Sequence, residues 1–193
     1  GIAIIGSGEI AVLAMTGGVY HMINHAIFKG LLFLIAGAIL YTTGTTDLDS
    51  VSGLGKRMPF TMTMFMFGAA AISGGFASKW MIYEAGFSGN LGIVSIIAVV
   101  VSALTLASFI KVGISAFFGP SREEHTEINE VPLSMRIPMG ILALGTVVFG
   151  VFPKFIINNL ITPVIKSIFN IGGYVNSALG NRYDELFSNE VIK

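Results

Sequence analysis

The chain has 193 residues, of which 53% are apolar and only 11% charged, and its eleven basic and eleven acidic residues cancel. Soluble domains carry roughly 25% charged residues, so a water-facing surface cannot be built from this composition, and a zero net charge leaves no electrostatic footprint for nucleic acid. The absence of cysteine excludes disulfides, thiolate metal sites and thiol nucleophiles.

The few charges are clustered. None falls within residues 30–46, 58–78, 85–110 or 137–153, and a hydrocarbon core about 30 Å thick needs around 20 mostly apolar residues per crossing helix. These runs are continuous, whereas β-barrel strands would alternate. The expected fold is therefore all-α and integral to the membrane, a bundle of about four to five transmembrane helices with one of them discontinuous.

In chain order, residues 1–10 read as a helix end or loop with Gly6-Ser7-Gly8 as breaker. The opening on Gly1, without a basic leader, predicts a fragment, a processed product or part of a longer subunit. A first span is expected over 11–41, with Gly17-Gly18 as a candidate interruption, then a polar loop over 43–57. A second span covers 59–83, opening on Pro59 at a natural first-turn position. An uncharged turn at 86–90 leads to a third span over 91–118, stopped by Gly119-Pro120. The acidic stretch 121–135 reads as a solvated connector to a fourth span over 137–151. The apolar stretch 155–171 is broken by Pro163 and carries Lys166, which suits a fifth span, a re-entrant segment or an interfacial helix. The expected organisation is a membrane helical domain over 1–152, a further membrane or interfacial helix within 153–180, and a polar tail over 181–193. Lys56, Arg57 and Arg122 fall in two loops on one side, and the positive-inside rule places that side in the cytoplasm.

Two segments carry candidate chemistry. In the first, His21, His25 and Lys29 recur every four residues. Each step turns roughly 40°, so the three form a slanted row about 12 Å long on one helix face. Lys29 is followed at once by Gly30-Leu31-Leu32-Phe33-Leu34, deep in an apolar run. A lysine stripped of hydration can exchange its proton, and histidine does so near neutrality, so the row offers proton stations one turn apart. The alternative is a lysine that snorkels to the interface beside histidines that only hydrogen-bond to neighbouring helices. Two histidines four residues apart also suit zinc, but no carboxylate or cysteine accompanies them, and no metal site is expected.

In the second segment, Ser73-Gly74-Gly75 lies in the middle of the second span, with Lys79 just beyond it. A membrane helix can unwind at such a point when its freed backbone groups face a wet or protein-lined cavity, and a charge beside the break is a transporter feature. A close helix–helix contact through small residues is the bland alternative. Lys111, on the third span, either snorkels or extends the relay. No phosphate loop, haem motif, iron–sulfur ligand set or nucleophile triad is recognisable, so no cofactor and no covalent catalysis are expected in this chain.

The blocks His21-Met22-Ile23-Asn24-His25-Ala26-Ile27-Phe28-Lys29-Gly30, Gly44-Thr45-Thr46-Asp47-Leu48, Gly53-Leu54, Met58-Pro59 and Ser78-Lys79-Trp80, in that order, resemble the antiporter-like membrane subunits. That family is shared by respiratory complex I, the membrane-bound nickel–iron hydrogenases and the multisubunit cation/proton antiporters. The resemblance covers residues 1–151, and Ser78 to Tyr83 with Ala107 to Lys111 lean toward the hydrogenase-type branch. It implies that Lys29, His25 and His21 match a central proton-relay helix, and that Lys79 matches the lysine of a broken helix near a proton exit. Family members usually carry a proline near that break, where this chain has Ser73-Gly74-Gly75. They also have about fourteen spans in two inverted repeats, of which this chain would supply the latter part.

The expected function is an ion-translocating subunit, moving protons or sodium, of a redox-driven complex in the cytoplasmic membrane of a prokaryote. Its expected partners are the lipid bilayer and other membrane subunits, including one supplying the missing half if the chain is not a fragment. The alternative is a component of a stand-alone multisubunit cation/proton antiporter.

Overall fold

The computed structural model describes residues 2, 8–45, 47, 48, 50–120, 128–170, 173 and 177, with backbone alone for 70–74. Among them every regular element is helical. The chain divides into two units, Gly1–Pro153 and Lys154–Lys193.

In the first unit, α1 (Glu9–Thr43) is the longest helix, with 35 residues. At 1.5 Å per residue it is about 50 Å long, enough to cross the hydrocarbon core and both headgroup zones. It runs unbroken through Gly17-Gly18, the candidate interruption. A glycine inside a helix costs about 1 kcal/mol relative to alanine, and the offset here is packing. A Cβ at Gly17 would stand 2.9 Å from Met81 Cβ, so only glycine lets the two backbones approach this closely. Gly44 ends α1 in the left-handed conformation (φ 72°), its N–H donating to the Leu40 carbonyl at 2.9 Å.

A short 3-10 turn (Leu54–Lys56) leads to α2 (Pro59–Gly74), and α3 (Phe76–Ser88) follows after the single residue Gly75. Next comes α4 (Gly92–Gly113), prolonged by a π-helical turn (Ile114–Phe118), and then α5 (Leu133–Val151). By length and composition α1, α4 with its π turn, and α5 are each able to cross a membrane. The second expected span is divided between α2 and α3. The fourth starts earlier than the sequence suggests, because Pro138 is accommodated inside α5. Proline removes the bond to the carbonyl four residues back, here that of exposed Ser134 near the helix start, where the loss is cheap.

Helix α1 packs along α3, α5 and α2, α2 packs on α5, and α4 leans on α3 and α2. The core joins Leu31, Ile35 and Ala38 of α1 to Leu54, Met58, Phe65, Phe117, Met139 and Ala143. Its counterpart is the outer face of α4, where Ile93, Ile97, Val101 and Leu104 are exposed. Such a face suits lipid or another membrane helix.

The acidic connector differs from expectation at its end. Residues 121–127 lie outside the described set, but Glu130 is half-buried and caps α2. One carboxylate oxygen accepts the N–H groups of Phe60 (2.8 Å) and Thr61 (3.2 Å); the other accepts the Thr61 hydroxyl (2.6 Å) and the Val131 N–H (3.1 Å). Pro59 has no N–H to satisfy, and the Met62 N–H reaches the Met58 carbonyl, so the start of α2 is fully bonded. The carboxylate also faces the positive end of the helix dipole. Glu130→Ala is expected to destabilise the fold by about 2 kcal/mol, read as a lower thermal midpoint in detergent. An unchanged midpoint would show that the cap contributes nothing.

Helix α6 (Pro153–Ile156), a π turn (Ile157–Ile161) and α7 (Thr162–Phe169) follow one another, all but Pro153 within the second unit. Pro163 cannot donate to the carbonyl four residues back, and the helical turns widen just before it.

Candidate functional site

The site is built where α1 meets the start of α3. His21 Nδ1 lies 3.1 Å from Ser78 Oγ, and the Ser78 hydroxyl donates to the Gly75 carbonyl at 2.8 Å. A hydroxyl has one hydrogen. With that hydrogen on Gly75, Nδ1 of a neutral His21 must be the donor, and Nε2 is left with the lone pair that can take up a proton. Ser78 is wholly buried, so the interaction is shielded from solvent. It ties the first histidine of the row directly to the helix interruption.

The row continues along α1. The rings of His21 and His25 have centroids 5.8 Å apart, and His25 stands edge-on to Phe28 at 4.9 Å. Lys29 Nζ sits 5.3 Å from the centre of the Phe109 ring of α4, within range of a cation–π contact. It is the charged member of the lining of a cavity of about 230 Å³, otherwise walled by apolar residues including Phe33, Phe65 and Phe117. Lys79, half-buried on the second turn of α3, acts electrostatically on both histidines, and Lys29 acts on His25. The fold therefore brings Lys79, His21, His25 and Lys29 into one electrostatically connected row. Lys111 stands exposed on α4 and lines no part of the cavity.

The row is only half enclosed. His21, Lys29 and Lys79 are half-buried and His25 is exposed, because α3 and α5 cover one side of α1 and leave the other open. At the helix interruption Gly75 adopts φ −68°, ψ −6°. The backbone thus stays right-handed, and the Lys79 N–H reaches the Gly75 carbonyl at 3.0 Å. Ser73 and Gly74 close α2, and their side-chain surroundings lie outside the described set.

Three further polar residues escaped the sequence reading. Tyr20 is buried, its hydroxyl donates to the Phe149 carbonyl, and its ring stacks on Phe149, which locks α1 to α5. Thr146 is buried on α5 and donates to the Ala143 carbonyl at 2.7 Å. Asn24 is 1% exposed, and among the described residues neither end of its carboxamide has a hydrogen-bond partner. Burying such an amide unpaired costs about 1–3 kcal/mol, a cost rarely retained without a use. The signal was an amide inside a mostly apolar helix, next to His25. Among the described residues no His, Asp and Glu cluster could hold a metal ion.

The family model described as NADH:quinone oxidoreductase/Mrp antiporter, transmembrane, matches residues 1–105. The Na(+)/H(+) antiporter subunit A1 of Staphylococcus aureus, in strains Newman and COL alike, is 35% identical over 177 residues, covering 83% of this chain and 22% of the relative. Among solved structures, a chain of the membrane-bound sulfane sulfur reductase, an archaeal respiratory membrane complex, superposes with a TM-score of 0.70 at 36% identity. That match covers 76% of this chain and 25% of the other. A chain of the Mrp complex from Dietzia sp. DQ12-45-1b gives 0.67 at 22% identity, covering 76% and 36%, a likeness of fold. The chain thus spans about a fifth of the length of the curated relatives it matches.

Proposed function

Because this chain belongs to the NADH:quinone oxidoreductase/Mrp antiporter transmembrane family, and is a cation/proton antiporter-like membrane subunit, we propose that it moves protons within a redox-driven complex. The stations are Lys79, His21, His25 and Lys29, in the cytoplasmic membrane of a prokaryote. The observation that carries this reading is the His21–Ser78–Gly75 link, which joins a titratable ring to the one point where the α2–α3 pair is interrupted. A proton taken by His21 Nε2 leaves both ring nitrogens as donors, so Nδ1 keeps its bond to Ser78 while the new charge is felt by Lys79 and His25. Like charges repel, so protonating one station favours release from the next, and the charge advances in one direction when a neighbouring module biases Lys79. Water relays the steps between side chains too far apart for direct transfer.

The uncovered side of the row supports a role within a larger assembly: the relatives are several times longer, and further helices there would enclose the pathway and prevent leakage. The redox setting is supported by the 36% identical chain of a respiratory complex. The relative named a Na(+)/H(+) antiporter subunit favours a second reading, exchange of sodium for protons without a redox module. Purification separates the two, since only the first predicts that an electron-transfer module accompanies the chain.

The relay itself is tested with Lys29→Met in the assembled complex reconstituted into vesicles. Proton movement should fall by at least about tenfold, followed with a pH-sensitive dye, with subunit composition unchanged. Normal transport in a chain carrying both Lys29→Met and Lys79→Met would leave only a scaffold.

A further inference from the structure

Asn24 lies where two packing registers cross. Helices α1 and α3 run antiparallel, with Gly17 against Met81 and Ile82, and His21 against Ser78. Continuing that register by three residues brings Asn24 level with Gly75, the interruption itself. On the other side, Tyr20 meets Phe149 and Ile27 meets Gly145, which brings Asn24 level with buried Thr146 of α5. The Thr146 hydroxyl spends its hydrogen on Ala143, and its oxygen keeps acceptor capacity. The Gly75 carbonyl accepts from Ser78 Oγ and from the Lys79 N–H. Between these levels sits a carboxamide that is 99% withdrawn from solvent, with donor and acceptor ends both unmatched among the described residues.

We propose that Asn24 is a positioning residue of this pathway, holding an internal water between the histidine row and the helix interruption at Gly75. The proposal rests on the proton-relay reading above. A carboxamide suits this task because it donates and accepts at once and does not titrate over the physiological range, so it orients water without trapping the proton. Its place, three residues beyond His21 on the buried side of α1, puts the held water in the gap between the His21–Ser78 link and α5. An apolar residue would leave that gap dry.

The test uses the complete complex in vesicles. Asn24→Leu, similar in volume and without hydrogen-bonding groups, should slow proton transport about tenfold and change the ratio of rates in H2O and D2O. Asn24→Gln should recover most of the rate. A wild-type rate and isotope ratio in Asn24→Leu would overturn the proposal and leave the lysine relay standing, since Lys79→Ala reports on the relay separately. If Asn24→Leu does not assemble, Asn24→Ser decides: near-normal transport supports a water-holding role, and a loss as deep as that of Asn24→Ala overturns it. Independently of transport, a density map of the complex that resolves internal water should contain one within hydrogen-bond distance of the Asn24 carboxamide. An amide bonded to protein groups alone would refute the assignment.

Discussion

Replacing Lys79 with alanine should abolish ion movement by the assembled complex while electron transfer measured on soluble donors persists. Lys79 is the charge nearest the helix interruption and acts on both histidines, so its loss removes the group that biases the row. A proton donor or acceptor at its point of use contributes about a hundredfold or more, and leak through water is the only substitute. The measurement is vesicle acidification against donor oxidation in the same preparation. Acidification at the wild-type rate would end the relay reading. Equal loss of both activities, with subunits no longer co-purifying, would instead mean that Lys79 holds the complex together. Lys79→Arg separates charge from exchange: it keeps the cation but cannot release its proton at any accessible pH, so it too should fail to pump.

The spans were legible because charge is so costly in hydrocarbon that its absence over 30–46, 85–110 and 137–153 marks helices almost by itself. The His21–His25–Lys29 geometry was legible because it depends on a single helix, whose periodicity fixes angles without any partner. What the chain's order could not reveal was register between helices. That Ser78 receives His21, that Lys111 turns outward, and that Glu130 caps α2 from 69–70 residues away all depend on tertiary packing that no local pattern encodes. Glu130 in particular was hidden among acidic neighbours that look alike as a string. Asn24 was passed over in the sequence, because its burial emerges only when neighbouring helices close over it.

The glycine pair in α1 shows the same limit and carries the second large prediction. Gly17 and Gly18 read identically in the sequence, but they meet different surroundings. A Cβ at Gly17 would lie 2.9 Å from Met81 Cβ and 3.3 Å from the Ile82 backbone nitrogen, whereas one at Gly18 meets nothing within 4 Å. Gly17→Val must therefore push α1 and α3 apart, because backbone cannot yield as a flexible side-chain tip can. Overpacking of this kind costs about 1–3 kcal/mol, and here the displacement falls one turn from the 3.1 Å His21–Ser78 contact. The expected result is a lower thermal midpoint together with at least about a tenfold loss of transport, since misplacing a reacting group by roughly 1 Å can cost a hundredfold. Gly18→Ala should leave both nearly unchanged, or raise stability slightly through helix propensity. Should Gly17→Val and Gly18→Ala behave alike, close approach of α1 to α3 would not be what aligns His21 with the helix interruption, and the coupling of packing to the pathway would have to lie elsewhere.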